Sequence, residues 1–390
     1  MCIRDSDAGD HLLVGVGEIL KSTLGPNDFA GRFGGDEFLV LMRDVNQRSE
    51  VDVVCEEILR RLNAEIEIKG NPIVVSASIG VVYCDSQDYQ NCDSLLNNAD
   101  LAMYAAKRQG KSRYCFFTSE LRDAVDVENA IRSHIMSGIH QRQFVLHYQP
   151  IINFHDGKIR SFEALARWQH PERGLLFPSD FIPVAEATGL VVPLGHQIIE
   201  TACQQLAEWD RTLGDAARDL KINVNFSPIQ ILESRFVDSI CSVVESSGIS
   251  PSRICIEISE SLLVCNPEKA IQTLTKIKSF GFQLHLDDFG TGYSSLNYLD
   301  ELPVDLLKID RSFVQKLENE HNENAVVRMI IAMAVALDVE VVAEGVENEI
   351  QIEMLKSMNC VLFQGNYFSK SMPADMVSQY ICDYQAANQR

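Results

Sequence analysis

The sequence predicts an α/β protein in two parts: a smaller α/β layered domain, then a C-terminal (β/α)8 TIM-like barrel. Three observations predict it. From residue 141 onward, short apolar strand-like runs alternate with amphipathic helices. There are eight such units over about 245 residues, where a barrel of this kind takes roughly 250. A polar residue stands at or just past the end of nearly every one of these runs. Ahead of them, residues 7–118 alternate helix and strand patterns on a shorter scale.

Residues 1–6, "MCIRDS", carry no pattern and read as a non-native start. They abut "DAGDHLLVGVGEIL", which begins as though inside a domain. "HLLVGVGEILKST" has the 3.6-residue spacing of a helix, and "RFGGDEFLVLM" reads as a tight turn between two apolar runs. "SEVDVVCEEILRRLNAEI" is an amphipathic helix, "PIVVSASIGVVY" a strand, and "SLLNNADLAMYAAKRQG" a helix that stops at Gly110. Residues 119–140, "SELRDAVDVENAIRSHIMSGIH", contain no proline and predict a stiff helical connector rather than a flexible linker. The barrel, over residues 141–385, is then built from "FVLHYQPII", "KIRSFEALARW", "KINVNFS", "ICIEIS", "FQLHLDDF", "LLKID", "EVVAEGV" and "CVLFQGNYF", with helices between most of them.

Composition bounds the function. The 390 residues are 46% hydrophobic, enough for more than one core, and carry a net charge of -21. That charge argues against a nucleic-acid polymer or an anionic membrane surface as partner. It leaves room for a small phosphorylated ligand held through divalent cations. No apolar run approaches the roughly 20 residues that span a bilayer. The eleven cysteines are scattered, odd in number and without a CxxC pair. They read as the reduced thiols of a cytoplasmic protein.

The polar strand ends are Glu163, Asn225, Glu257, Asp287 with Asp288, Lys308, Glu344 and Gln364. In a barrel the strand ends share one face, so these residues converge although they lie up to two hundred positions apart. Asp287 and Asp288 are adjacent, and neighbouring strand residues face opposite ways. The two converge only if the second has left the pleat. Five carboxylates and two amides offer a metal oxygen alone, which suits Mg2+ or Mn2+ rather than Zn2+. That number exceeds what one Mg2+ takes, which points to two ions, spaced about 3.5–4 Å in such sites, and to in-line displacement at phosphorus. Lys308 suits holding a water or countering developing charge. From the residues alone the reading is metal-assisted hydrolysis of a phosphate ester. "DFGTGYSSLNYL" reads either as a flexible gate beside the ions or as a plain turn with a helix N-cap at Ser294 or Ser295.

Seven of these stretches also carry a resemblance. "EALARW", "NVNFSPIQ", "IEISES", "DDFGTGYSSL", "LLKID", "AEGVE" and "QGNYFSK", in that order, resemble the EAL domain, a cyclic-di-GMP phosphodiesterase barrel. The resemblance implies that Glu163, Asn225, Glu257, Asp287, Asp288 and Glu344 hold two divalent cations, with Asp287 between them. It implies that Lys308 holds the catalytic water and that Glu344 is either a ligand or an activator of that water. Glu163 belongs to the catalytic set as well as the metal set. Glu260 matches the glutamate that anchors the DFGTG loop, and Gln149, Arg167 and Gln364 match substrate contacts. The implied reaction opens cyclic di-GMP to linear pGpG.

Residues 7–118 resemble a GGDEF domain, of diguanylate cyclase fold, through "RFGGDEF", "SASIG" and "ADLAMYAAKRQGKSR". The resemblance assigns Asp36 to metal, with Glu37 beside it, Asp10 to guanine, and Lys107 and Lys111 to phosphate. It also implies that a first strand and helix should precede "DAGD", so this part reads as a truncated sandwich that is inactive as a cyclase and unstable alone. The product-inhibition RxxD motif is replaced by "GPND", with Gly25 at the arginine position. Both families imply a homodimer, GTP is the ligand expected of the GGDEF remnant, and a membrane anchor further upstream is compatible with the pattern. The alternatives are a non-catalytic cyclic-di-GMP receptor, and a longer bifunctional cyclase and phosphodiesterase.

Overall fold

The computed structural model describes residues 7–64, 66–68, 71–73, 75–84, 91–108, 110–290, 296–317 and 324–388. Residues 291–295, which hold the middle of the expected gate and both serine caps, lie outside them. The chain divides into two compact units, Met1–Asn129 and Ala130–Arg390, and the helix Ser119–His140 runs across the division.

The second unit is a closed eight-stranded barrel, as the strand pattern predicts. Its strands are β1 (Phe144–Asn153), β2 (Lys158–His170), β3 (Ile222–Phe226), β4 (Ile254–Ser259), β5 (Gln283–Phe289), β6 (Leu306–Ile309), β7 (Glu340–Ala343) and β8 (Leu362–Gln364). Strands β2 to β8 are parallel in ring order, and β1 closes the ring between β8 and β2. The first repeat of the barrel departs from the expected strand, loop and helix. β1 runs antiparallel to both neighbours and joins β2 by a hairpin. The "FHDG" connection explains this, because a short turn joins antiparallel strands whereas a parallel crossover needs a dozen or more residues. In that turn the Asn153 and Asp156 side chains accept from the backbone N–H of His155 and Lys158.

Helices cover the outside of the barrel. Pro178–Thr188 and Val191–Leu213 follow β2, Phe236–Ser247 follows β3 and Pro267–Ser279 follows β4. Asn324–Ala336 and Glu349–Ser357 precede β7 and β8, and Ala374–Asn388 ends the described chain. Asn266 and Asn348 cap their helices through their side chains, accepting from Lys269 and Gln351 N–H.

Strand alternation sorts the core. Ile222, Val224, Ile256, Ile258, Leu284, Leu286, Leu307 and Ile309 are buried. Their intervening neighbours on the same strands carry the polar groups. Inside the ring, Ile151, Leu306, Val342 and Leu362 form an apolar cluster. Lys308, Glu344 and Gln364 lie two residues, one pleat period, beyond the last three of these. An aromatic group ties the first strands to helix Val191–Leu213. The Trp209 ring lies 5.0 Å from that of Tyr148 and 5.5 Å from that of Phe162.

The first unit is smaller. Its described strands form three separate pairs: Phe29–Gly34 with Glu37–Leu41, Ile66–Ile68 with Asn71–Ile73, and Ser78–Val81 with Arg113–Phe116. The expected single strand "PIVVSASIGVVY" thus contributes to two of them. Leu20, Ile58 and Leu62 make the buried centre, with Phe38 and Val40 packed against it. Alternation turns Leu39 and Leu41 outward, and Phe29 and Phe33 are exposed with them.

Trp209 is fully buried and is not among the candidate site residues. Replacing a buried Trp by Ala typically costs about 3–5 kcal/mol. Trp209→Ala is expected to lower barrel stability by that amount in a urea titration. A loss below about 1 kcal/mol, the range of well-tolerated core swaps, would show that this packing does not hold β1 and β2 to the helix layer.

Candidate active site

Lys308 is the centre of the site. It lies on β6, is fully buried, and places its Nζ 2.5 Å from Glu344 Oε1, 3.1 Å from Glu257 Oε2, 3.2 Å from Asp287 Oδ2 and 3.5 Å from Glu163 Oε2. The four acids arrive from β2, β4, β5 and the residue after β7. Register brings them together: Glu257 pairs with Asn225 and with His285, and Ser259 with Asp287. Glu163 is in the middle of β2 rather than at its end, because β2 continues past the ring to pair with Gly174–Leu176.

Asp288 resolves the question raised by the paired acids. Its φ is +55°, in the left-handed region, and β5 loses regular register between Leu286 and Phe289. The second aspartate has left the pleat, with its N–H donating to Asp287 Oδ1 at 2.8 Å. Asp287 stays half-buried and Asp288 is exposed. Gly345, directly after Glu344, has φ +68°, and a Cβ there would meet Arg311 Cβ at 2.5 Å. Glycine therefore lets the chain turn just beyond the acid.

Amides orient the carboxylates. Asn225 Nδ2 donates to Glu163 Oε1 at 2.7 Å, and Gln364 Nε2 to Glu163 Oε2 at 2.6 Å. Gln364 also donates to Gln149 Oε1 at 3.1 Å, and Gln149 in turn to the Ser369 carbonyl. Arg167 is buried farther along β2, where it donates to Ser371 Oγ at 3.0 Å and sits 4.9 Å over the Phe177 ring. Glu260 is buried after β4 and accepts from Gly290 N–H at 3.2 Å, at the start of the glycine-rich loop.

The charge balance is uneven, with one ammonium facing four carboxylates. Burial alone would lower the Lys308 pKa, but Asp287, Glu163, Glu257 and Glu344 hold it well above the lysine range. Burial would raise Glu163, yet Lys308 and the amides of Gln364 and Asn225 keep it below the usual carboxylate value. Burial pushes Glu257 up to about 8, aided by Glu163 and Asp287 and against Lys308. Burial likewise drives Glu344 well above the carboxylate range, with repulsion from Asp287 and Glu163 adding to it against Lys308. Two of the four acids thus favour holding a proton where no further positive charge is present. A cation would replace those protons. Glu163, Glu257 and Asp287 each offer an oxygen within 4.8 Å of the others, and the donors are hard oxygens. The residues fit a divalent cation.

Two residues of this site carry no expectation from sequence. Asn223 donates to Glu257 Oε1 at 2.8 Å, and His285 Nδ1 lies 3.3 Å from Asn223 Nδ2. The signal was period two: Asn223 stands two before Asn225, and His285 two before Asp287, so each shares its neighbour's face.

The GGDEF-like positions look different. Asp36 and Glu37 lie at the turn between Phe29–Gly34 and Glu37–Leu41, where Gly35 has φ +53° and its carbonyl accepts from Arg32 Nε. Asp10, Asp36, Glu37, Lys107 and Lys111 are all exposed. Among the described residues, the group of three or more acid, His or Cys side chains spaced for a metal is in the barrel.

Comparison with known proteins adds independent support. Residues 129–371 match the family described as EAL domain, and residues 6–113 the family described as diguanylate cyclase, GGDEF domain. The chain is 36% identical over 369 residues to the bifunctional diguanylate cyclase/cyclic di-GMP phosphodiesterase MucR of Pseudomonas aeruginosa, covering 95% of this chain and 53% of that protein. It is 36% identical over 366 residues to the cyclic di-GMP phosphodiesterase PdeR of Escherichia coli, covering 94% of this chain and 54% of that protein. The chain thus spans about half the length of these curated relatives. Among solved structures, a PaMucR phosphodiesterase in complex with c-di-GMP is 37% identical, with a TM-score of 0.60 over 64% of this chain and 99% of that one. The EAL domain of Mycobacterium smegmatis DcpA is 35% identical, with a TM-score of 0.52 over 61% of this chain and 96% of that one. With a closed barrel, an acid-lined mouth and these matches together, the chain belongs to the EAL-domain family and carries a GGDEF domain ahead of the barrel.

Proposed function

We propose that the barrel hydrolyses cyclic di-GMP to linear pGpG with two divalent cations, Mg2+ or Mn2+. The observation that carries this reading is the Lys308 ammonium in contact with four carboxylates, three from strands and one from the residue after β7. The relatives named as cyclic di-GMP phosphodiesterases support the substrate. Glu163, Asn225, Glu257, Asp287, Asp288 and Glu344 would hold the cations, Asp287 between them. When bound, such ions lower the pKa of water and neutralise charge on the phosphate.

The chain's own groups do the rest. Asn225 gives its amide nitrogen to Glu163, which leaves its oxygen to face a cation. Lys308 donates toward the attacking water and later toward the equatorial oxygens at phosphorus, where negative charge grows. The product keeps its 5′ phosphate, so the bond that breaks is P–O3′, and the departing 3′ oxygen takes up a proton. Gln149, Arg167 and Gln364 would bind the substrate beside the acids. Glu260 holds the glycine-rich loop through Gly290.

We propose further that the GGDEF part makes no cyclic di-GMP in this chain. Its expected ligands are exposed, and among the described residues no metal-spaced cluster lies there. Incubation with GTP and Mg2+ is expected to give no cyclic di-GMP by liquid chromatography. Its appearance would make the chain bifunctional and end this part of the proposal.

Glu163→Ala, Asp287→Asn and Lys308→Ala are each expected to lower kcat by about 100-fold or more, the scale for losing a group that stabilises transition-state charge. Formation of pGpG from cyclic di-GMP with Mn2+ measures it. No turnover by the parent chain, or near-normal turnover by all three variants, would overturn the reading.

The Glu257 pKa near 8 carries a sign. A cation takes the place of that proton, so Mn2+ binding should release protons below pH 8, and its affinity should rise with pH toward that value. Calorimetry of Mn2+ binding in buffers of different ionisation enthalpy measures the release. An affinity that is flat from pH 6 to pH 8 would show that Glu257 holds no proton there for the ion to displace.

A further inference from the structure

Beneath the acids, the barrel interior is polar on one side and apolar on the other. Ile151, Leu306, Val342 and Leu362 fill the apolar side. Asn223 on β3 and His285 on β5 flank Glu257 of the intervening β4, and both are buried. Packing does not require polar groups at this level, since the other side of the same interior is filled by hydrocarbon.

The three side chains form one bonded unit. Glu257 is fully buried and held at both oxygens, Oε2 by Lys308 Nζ at 3.1 Å and Oε1 by Asn223 Nδ2 at 2.8 Å. His285 Nδ1 is 3.3 Å from Asn223 Nδ2 and 3.6 Å from Glu257 Oε1. An amide nitrogen has two hydrogens. One goes to Glu257 and the other to the Nδ1 lone pair, which puts the imidazole proton on Nε2. With Glu257 ionised, as a cation ligand must be, the amide cannot be turned over, because its oxygen would then face a carboxylate. Among the described residues Asn223 Oδ1 has no partner, and it is buried. Leaving it so costs stability. The side-chain bonds that Asn223 makes go to Glu257 and His285.

We propose that Asn223 and His285 are positioning residues that fix Glu257 as a one-oxygen ligand, tying down Oε1 and presenting Oε2 to the barrel mouth. This rests on the metal-dependent reading above. A carboxylate held in this way suits the tight octahedral shell of Mg2+ or Mn2+. Ca2+ takes longer bonds, more ligands and two-oxygen carboxylates, so it gains less from that restraint. The pair would thus sharpen selection between ions as well as strengthen binding.

The test uses the whole chain and measures Mn2+ and Ca2+ dissociation constants directly, by calorimetry or by electron paramagnetic resonance of free Mn2+, with thermal unfolding alongside. Groups that hold metal ligands are worth about 10–100-fold in metal affinity. Asn223→Ala is expected to weaken Mn2+ by that factor and to change Ca2+ much less, so the Mn2+ to Ca2+ preference falls. Asn223→Ser, with a shorter donor, should recover part of the loss, and His285→Ala should weaken Mn2+ in the same direction. Should Asn223→Ala fail to fold, the Asn223→Ser and His285→Ala variants decide the matter on their own. A parent that binds Mn2+ and folded variants that bind it equally well, even with lowered melting temperatures, would overturn the inference and leave the proposed function standing. A parent that binds no Mn2+ would remove the reading on which the inference rests, and the inference with it.

Discussion

A single ammonium, Lys308 Nζ, buried among the carboxylates of Glu163, Glu257, Asp287 and Glu344, is the constraint around which the barrel mouth is arranged. A lysine without partners at such depth would be costly, and so would any one of these acids. Together they are tolerable, but one positive charge does not neutralise four acids. The remaining imbalance is what suits the cluster to a divalent cation rather than to a structural ion pair. Burial, with repulsion among the acids adding to it, raises Glu257 and Glu344, while Glu163, held by Lys308 and two amides, stays low.

The barrel supplies the convergence. Its parallel strands carry one functional residue each at a similar height, and alternation decides which neighbour faces inward. The antiparallel first strand is part of the same design. It brings Gln149 level with Glu163 in register and within reach of Gln364 from the other side. Where regular geometry would not suffice, the chain departs from it. Asp288 adopts a left-handed conformation, and Gly345 turns the chain where a side chain would collide. Such departures beside a cluster of charges mark positions where the backbone serves the site.

The fold was legible because its signals repeat. Eight strand runs, a polar residue near each end and a suitable length point to the barrel. Less legible was the direction of the first strand, since "FVLHYQPII" has the same pattern whichever way it runs. Only the short "FHDG" turn hinted at it. In the first unit, "PIVVSASIGVVY" shows why long apolar runs mislead: one continuous pattern contributes to two separate strand pairs. Asn223 and His285 escaped because neither an amide nor an imidazole two residues before a marked position is informative until one knows what stands on the adjacent strand.

The sequence by itself determined the residue types: strands ending in oxygen donors, a lysine among them, glycines at the turns, and no soft ligands. Those are local properties, written in alternation and composition. The tertiary structure decided which of these donors meet, at what distance, and which oxygen of each carboxylate is already engaged. Those depend on register between strands far apart in the chain. A shift of one residue would turn a whole set of side chains to the other face. Distance and burial, not residue identity, separate the acids that keep a proton from the acid that gives it up.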